Sequence, residues 1–468
     1  MASVPFDQPE TSSVPRAAEP LRAPRSKADT AANVPPSLAR DLISENFAIA
    51  DGTLAIGGQS VRALADTYGT PFFAYDADVM RRTYRALSAA VADFATVYYS
   101  IKANPLPAVA QVFVEEGAGL ELASQHEFEI ARAAGCAPED MLFAGPGKGA
   151  HELARVIEAG IGEIHLESFE EIAHAAALAE RFDRTVDVAI RVNPIASAQG
   201  GAMRMGGKPT AFGFDEEMLG DVVAAVRAHP RLAISGVHLF AGTQLLAADV
   251  LVAQWAHGLR LAAQLADLTG MPLRTIDLGG GLGVPYHQGD APLDLAAVAA
   301  AVPDLLAMRD GDARLADARV LLEPGRYLTA AAGVYVMGVR AVKQSRGERF
   351  VICDGGMHHH LAASGNLGQV IKRDYPLLAA EKLDDTAVHQ ANVVGPLCTP
   401  LDTLGRKTAL PDLEQGDLVA VLQSGAYGVS ASPVGFLSHP RPVEIMIDGG
   451  AHRAVSPPTH TLGQVAEK

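Results

Sequence analysis

From residue 97 onward, short apolar runs alternate with longer Ala- and Leu-rich segments of helical period, the pattern of successive βα units. The runs are VYYSIKA (97–103), GLELAS (119–124), DMLFAG (140–145), EIHLES (163–168), DVAIRVNP (187–194), ISGVHLF (234–240), TIDLGGG (275–281) and RVLLEPGR (319–326). Between them, ASQHEFEIARAAG and GAHELARVIEAG place apolar residues at i, i+3 and i+4, start after Ser or Gly and end at Gly, as capped helices do. Eight such units predict an α/β fold, a (β/α)8 TIM barrel over residues 78–325.

After Arg326 the pattern changes to β-rich stretches with turn signals, among them GVYVMGVRAVKQ, RFVICDGG, DLVAVLQSGAY and RPVEIMIDGG. A C-terminal all-β domain over 326–450 is predicted. The segment 41–77 carries two strand-like pieces ahead of the barrel and is expected to join that domain. Residues 1–40 are rich in Pro, Ala and Ser with few large apolar groups, which predicts a disordered tail, and 451–468 are read as a second tail.

A barrel places its chemistry at the C-terminal ends of its strands. Here those ends carry Lys102 and Asn104, Ser124, Gly145, Arg191 and Asn193, His238, Gly279 to Gly283, and Glu323 with Arg326. Within TVYYSIKANP a buried strand runs into a lysine, and a buried ammonium is costly unless paired, neutralised or used covalently. DLGGGLG (277–283) follows a strand and offers backbone amides that no side chain shields from an anion. In LLEPGR (321–326), Glu323 is placed to hold a proton on a heteroaromatic nitrogen while Arg326 and the glycine loop bind phosphate. A lysine for an aldehyde, a flat histidine, a phosphate cradle and a carboxylate together describe a pyridoxal 5'-phosphate site.

Composition narrows the field further. The chain has 468 residues, 49% of them hydrophobic and 20% charged, enough for a large core and about two domains. Its net charge of −16 argues against nucleic acid as a partner and favours small molecules. Cys136, Cys353 and Cys398 lie far apart, without a disulfide framework or zinc spacing, which fits a reducing cytoplasm. No export signal or membrane span is expected.

YYSIKAN, GVHLFAGTQ, DLGGGLG, LLEPGR, GPLCTPLD and SGAY occur in the order and context of the fold-type III pyridoxal phosphate decarboxylases, the group of diaminopimelate and ornithine decarboxylases. The chain resembles that family over about residues 50–445. The resemblance implies that Lys102 carries the cofactor, that His238 stacks on its ring and that Glu323 pairs with the ring nitrogen. It also implies that Gly279, Gly280, Gly281, Gly283, Gly325, Arg326 and Tyr427 hold the phosphate, and that Cys398 donates a proton in the other subunit of a homodimer with shared active sites.

Two positions depart from the diaminopimelate and ornithine pattern. Thr399 stands where those enzymes have an acidic residue for the distal ammonium, and Ala362 where diaminopimelate decarboxylases have an arginine for the distal carboxylate. GGMHHHLAASGN and CTPLD resemble a branch acting on conjugated amino acids, either glutamyl groups on acyl-carrier proteins or citryl conjugates of siderophore assembly. Thr399, Asp402 and His359 are expected at the substrate end. His358 to His360 are adjacent and are not expected to converge on a metal. The glycine-rich stretch 195–214 is expected to be a lid or part of the phosphate site, and Glu121 replaces the Asp of many relatives without an assigned role. An amino-acid racemase is disfavoured by Glu323 and Cys398. A non-catalytic cofactor-binding regulator is disfavoured because lysine, cysteine and β-domain are all kept.

Overall fold

The computed structural model describes residues 37–195, 203–204, 209–240, 242–367, 369 and 372–456. Most of the expected N-terminal tail, the end of the C-terminal one and much of the glycine-rich stretch 195–214 lie outside the described residues.

All eight apolar runs form parallel strands: β1 Thr96–Ser100, β2 Gly119–Leu122, β3 Met141–Phe143, β4 Glu163–Leu166, β5 Val186–Asn193, β6 Leu232–Leu239, β7 Thr275–Asp277 and β8 Arg319–Leu322. They pair in chain order, and β8 closes on β1 through Leu321 opposite Thr96 and Leu322 opposite Val97. The expected (β/α)8 barrel is therefore present. Its connecting helices carry the expected caps. Ser124 and Ser168 accept from the amides of Glu127 and Glu171, three residues on, and the helix Ala150–Ala159 stops at Gly160 in the left-handed region.

The first strand is shorter than its apolar run. β1 stops at Ser100, and Ile101–Ala103 make a single 3-10 turn closed by the Asn104 amide on the Ile101 carbonyl. Lys102 therefore stands on a turn at the barrel mouth, 42% of its side chain exposed, instead of ending a strand.

Beyond the barrel lie β9 Gly333–Ser345, β10 Glu348–Cys353, β11 Leu377–Ala379, β12 His389–Val394, β13 Thr403–Leu410, β14 Leu418–Val421, β15 Val443–Asp448 and β16 Ala451–Ala454. The fully buried strand Phe72–Asp76, from ahead of the barrel, lies between β9, antiparallel to it, and β15, parallel to it. Two tail boundaries need correction. A helix spans Leu38–Asn46 because Ser37 caps it and Leu42 and Ile43 find a core. β16 pairs with β15, Met446 opposite Arg453 and Ile447 opposite His452, so the sheet continues past residue 450. No helix among the described residues is long and apolar enough to cross a membrane.

Beside the lysine, the second domain reaches back to the barrel mouth. The Tyr427 amide donates to the Ala103 carbonyl at 2.7 Å, and Asn104 Nδ2 donates to the Gly425 carbonyl at 3.1 Å. The SGAY segment thus seats beside the lysine turn.

Candidate active site

Lys102 Nζ donates to Glu121 Oε2 at 3.0 Å and Oε1 at 3.2 Å, and Ser100 Oγ donates to the same Oε2 at 2.5 Å. Burial works against the lysine's charge, but Glu121 and Glu323 outweigh it and raise the ammonium above its usual range. Glu121, left without a role in the sequence reading, is the lysine's direct partner. Gly325 is required here, since a Cβ on it would lie 2.8 Å from Ala103 Cβ and 2.9 Å from the Ser100 carbonyl oxygen.

Beneath the lysine, four buried groups from four strands converge: the donor atoms of His165, His238, Asp277 and Glu323 all lie within 4.8 Å of one another. His238 Nε2 is 3.3 Å from Glu323 Oε2, and the His165 and His238 rings lie 4.2 Å apart at 37°. Burial, helped by His165, pushes His238 down to about 4, so its imidazole is neutral at physiological pH. The two carboxyls divide their titration. Burial and the Glu323 charge raise Asp277 well above the carboxylate range, whereas His238, His165 and Lys102 overcome burial and hold Glu323 below it. Burial thus favours the neutral form of Asp277, while its neighbours favour the charged form of Glu323. Glu163, lower in the barrel, accepts from Ser235, Thr275 and His165, and these contacts lower it despite its burial.

The glycine loop follows β7. Its first amide, on Gly279, donates to Asp277 Oδ1 at 2.8 Å, and the Gly283 amide donates to the Leu245 carbonyl at 2.9 Å. These two positions supply space more than donors. Gly279 has φ +67° and a Cβ there would collide with the Leu239 carbonyl; Gly281 has φ +101° with the Gly242 carbonyl 2.7 Å from the Cβ position. At Gly280 a Cβ would strike the Glu323 carbonyl. Arg326 stands across from the loop, Nη1 donating to Tyr286 Oη at 3.0 Å and its guanidinium 4.6 Å from the centre of the Tyr427 ring.

The remaining expected residues lie elsewhere. Cys398 is exposed, and no hydrogen bond among the described residues ties its loop, 395–402, to the barrel. Thr399 is half-buried next to it, its Oγ1 accepting from the Leu401 amide. Asp402 and His359 were expected at the substrate and are placed otherwise. Asp402 is buried with both carboxylate oxygens taken by the Met357 and Leu397 amides. His359 is buried between Tyr335 Oη and the Pro440 carbonyl. The polar atoms of both are thus engaged within the chain.

Residues 77–330 match the pyridoxal-binding domain of the pyridoxal-dependent decarboxylases. The chain belongs to that family. It is 40% identical to an L-glutamyl-[BtrI acyl-carrier protein] decarboxylase of Niallia circulans over 84% of this chain and 92% of the relative. It is 31% identical to a diaminopimelate decarboxylase of Zymomonas mobilis over 86% and 93%. The solved diaminopimelate decarboxylase of Helicobacter pylori, complexed with L-lysine, superimposes with a TM-score of 0.75 at 27% identity, covering 84% of this chain and 95% of that one.

This decarboxylase uses pyridoxal phosphate, and the buried atoms fit that cofactor. Among the described residues, Glu323 Oε1, both ring nitrogens of His238 and Arg326 Nε accept or donate no hydrogen bond, the His238 Nε2 approach to Glu323 Oε2 being an ion-pair contact, although burial makes an unpaired polar atom costly. A protonated ring nitrogen would answer Glu323 and a phosphate Arg326, while His238 offers a flat face to a ring. His165, Asp277, Glu163 and Tyr286 were not singled out from the sequence. Asp277 lay inside the quoted glycine motif, and the inward position of His165 on β4 was the available signal for the others.

Proposed function

We propose that this decarboxylase removes the α-carboxylate of an amino acid presented as a conjugate, an aminoacyl group on a carrier protein in the first instance, and not of free diaminopimelate. The observation that carries this reading is the neutrality of the distal end. Thr399 follows Cys398, and Ala362 is buried in a segment that carries His358, His359 and His360, with Arg406 donating to the Ser364 carbonyl and Lys372 to Asn366 Oδ1. Burial pushes those three histidines down to about 4, 3 and 3, so at neutral pH they offer no cation to a distal carboxylate; the Arg406 guanidinium is paired with Asp374, Lys372 is bonded to Asn366, and Thr399 offers no anion to a distal ammonium. The relative at 40% identity acts on a glutamyl group attached to a carrier protein, which supports the same reading.

In this reading Lys102 supplies the amine that binds the cofactor aldehyde, and Glu121 with Ser100 fixes that amine at the mouth. Glu323 holds a proton at the ring nitrogen, His238 backs the ring, and Arg326, Tyr427 and the loop through Gly279, Gly280, Gly281 and Gly283 hold the phosphate beside Gly325. When bound, the cofactor supplies the sink for the electrons left behind by departing CO2. Cys398 Sγ then delivers a proton to the substrate α-carbon. Its exposure, and the lack of any bond from its loop to its own barrel among the described residues, support delivery into the site of a second copy in a homodimer. Three free cysteines, two of them buried, are in keeping with a cytoplasmic setting.

The test is CO2 release from glutamyl-loaded carrier protein, free glutamate, citryl-linked amino acids and diaminopimelate under one set of conditions. Carrier-loaded substrate is expected to turn over fastest. If free diaminopimelate leads, the argument from Thr399 and Ala362 is overturned.

A further inference from the structure

We propose that Asp402 is the positioning residue for Cys398, a buckle that fixes the cysteine-bearing loop to the histidine turn of its own chain. The proposal rests on the reading above of Cys398 as a proton donor to the partner's site.

Asp402 closes the loop on itself and on its neighbour at the same time. Its amide donates to the Thr399 carbonyl at 3.2 Å and its carbonyl accepts from the Gly395 amide at 3.1 Å, so backbone bonds join both ends of the segment holding Cys398. Its side chain binds outward from that ring. Oδ2 accepts from the Leu397 amide at 2.9 Å, one residue before the cysteine, and Oδ1 accepts from the Met357 amide at 2.6 Å, in the turn that leads into His358–His360. Two amides need two acceptors. An asparagine would turn an NH2 toward one of them, and leave a buried donor unpaired.

The surroundings are shaped for this carboxylate. A Cβ on Gly356 or on Gly395 would collide with its oxygens from opposite sides, so both loops are glycine where they pass it. The histidine turn is in turn tied to the cofactor side of its own chain. His360 Nε2 lies 3.1 Å from Ser424 Oγ, and the next residue, Gly425, accepts from Asn104 beside the lysine turn. Cys398 thus takes its position from the Asp402 buckle and, through it, from the frame that holds Lys102 of the same chain.

Mixed dimers separate the possibilities, because a loop residue and a barrel residue then act in different sites. Lys102→Ala and Cys398→Ala should each be inactive alone, and their mixture should recover about a quarter of wild-type activity, since random reassortment leaves half the dimers with one intact site of two. Asp402→Asn alone should lower kcat at least about 10-fold, with KM and the visible band of the bound cofactor unchanged. Mixed with Lys102→Ala it should recover activity; mixed with Cys398→Ala it should not. Should Asp402→Asn not fold, Gly395→Ala, whose methyl intrudes on the same carboxylate, must sort into the same class. Recovery with Cys398→Ala, or a wild-type kcat for Asp402→Asn, would overturn the buckle while leaving the shared site standing. A Lys102→Ala and Cys398→Ala mixture that stays inactive would overturn the shared site, and the buckle with it.

Discussion

Lys102 and Glu121 form an ion pair at the barrel mouth, Nζ to Oε2 3.0 Å, with Ser100 Oγ on the same oxygen. The pair holds the lysine as an ammonium, whereas attack on an aldehyde needs the free amine. Glu121→Gln removes the raising charge, so the lysine should titrate at lower pH. Attachment of added pyridoxal phosphate to the apoprotein, followed by the growth of its visible band in stopped flow, should be faster at pH 7 in the variant. Its pH–rate profile should move toward acid. An unchanged profile would remove Glu121 from this role.

Glu323 belongs to the buried floor, where His238, His165 and Lys102 act against burial to hold it below the usual carboxylate range. Glu323→Gln keeps the shape and loses the charge that stabilises a protonated ring. The expected loss in kcat is on the order of 10², with the cofactor still bound. Steady-state rates and the visible spectrum of the same preparation read both.

Gly279 sits at φ +67° against the Leu239 carbonyl. Gly279→Ala should cost more than about 1 kcal/mol of stability and weaken cofactor binding, because a methyl there forces the loop off its path. Gly220 is the control. It lies in the helix Leu219–Arg227 with nothing within 4 Å of its Cβ position, and Gly220→Ala should leave stability unchanged or raise it. Urea midpoints at one protein concentration compare the two.

His358 is fully buried, neither ring nitrogen has a hydrogen-bond partner among the described residues, and burial pushes it to about 4. Since its folded value lies below the unfolded one near 6.5, the stability it allows is complete above pH 6.5 and falls as pH drops toward 4. His358→Leu has no such dependence. At pH 5 the variant should be more stable than wild type by about 2 kcal/mol, and at pH 7.5 the difference should nearly vanish. Denaturation midpoints at the two pH values check the sign.

The eight strands were legible because each apolar run is short and bounded by helix caps or glycine, and the gathering of Lys102, His238 and Glu323 at one rim was legible because all three follow or end barrel strands on the same side. The floor was harder to see. In EIHLES the alternation reads Ile164 and Leu166 as the core side and Glu163 and His165 as the wet side. A barrel reverses this: the apolar pair faces the surrounding helices, while Glu163 reaches across the interior to Ser235 and Thr275 on strands it does not pair with. Asp402 misled for a different reason. Its partners are backbone amides, which carry no residue identity, so an acid near Cys398 reads as a substrate contact. Lys102 was placed at the end of a strand because nothing in SIKA marks where pairing stops; the Tyr427 amide, more than three hundred residues away in sequence, bonds the Ala103 carbonyl and helps set that turn.

The strand Phe72–Asp76 leaves the ribosome before any of the barrel, yet its two neighbours, β9 and β15, are translated after the whole barrel is complete. Until Val443–Asp448 emerge, one edge of that apolar ribbon stays uncovered, a stretch of synthesis lasting tens of seconds at ribosomal speed. Assembly of the second domain therefore waits for Val443–Asp448, and nascent chains stalled short of them should depend on chaperones for their solubility.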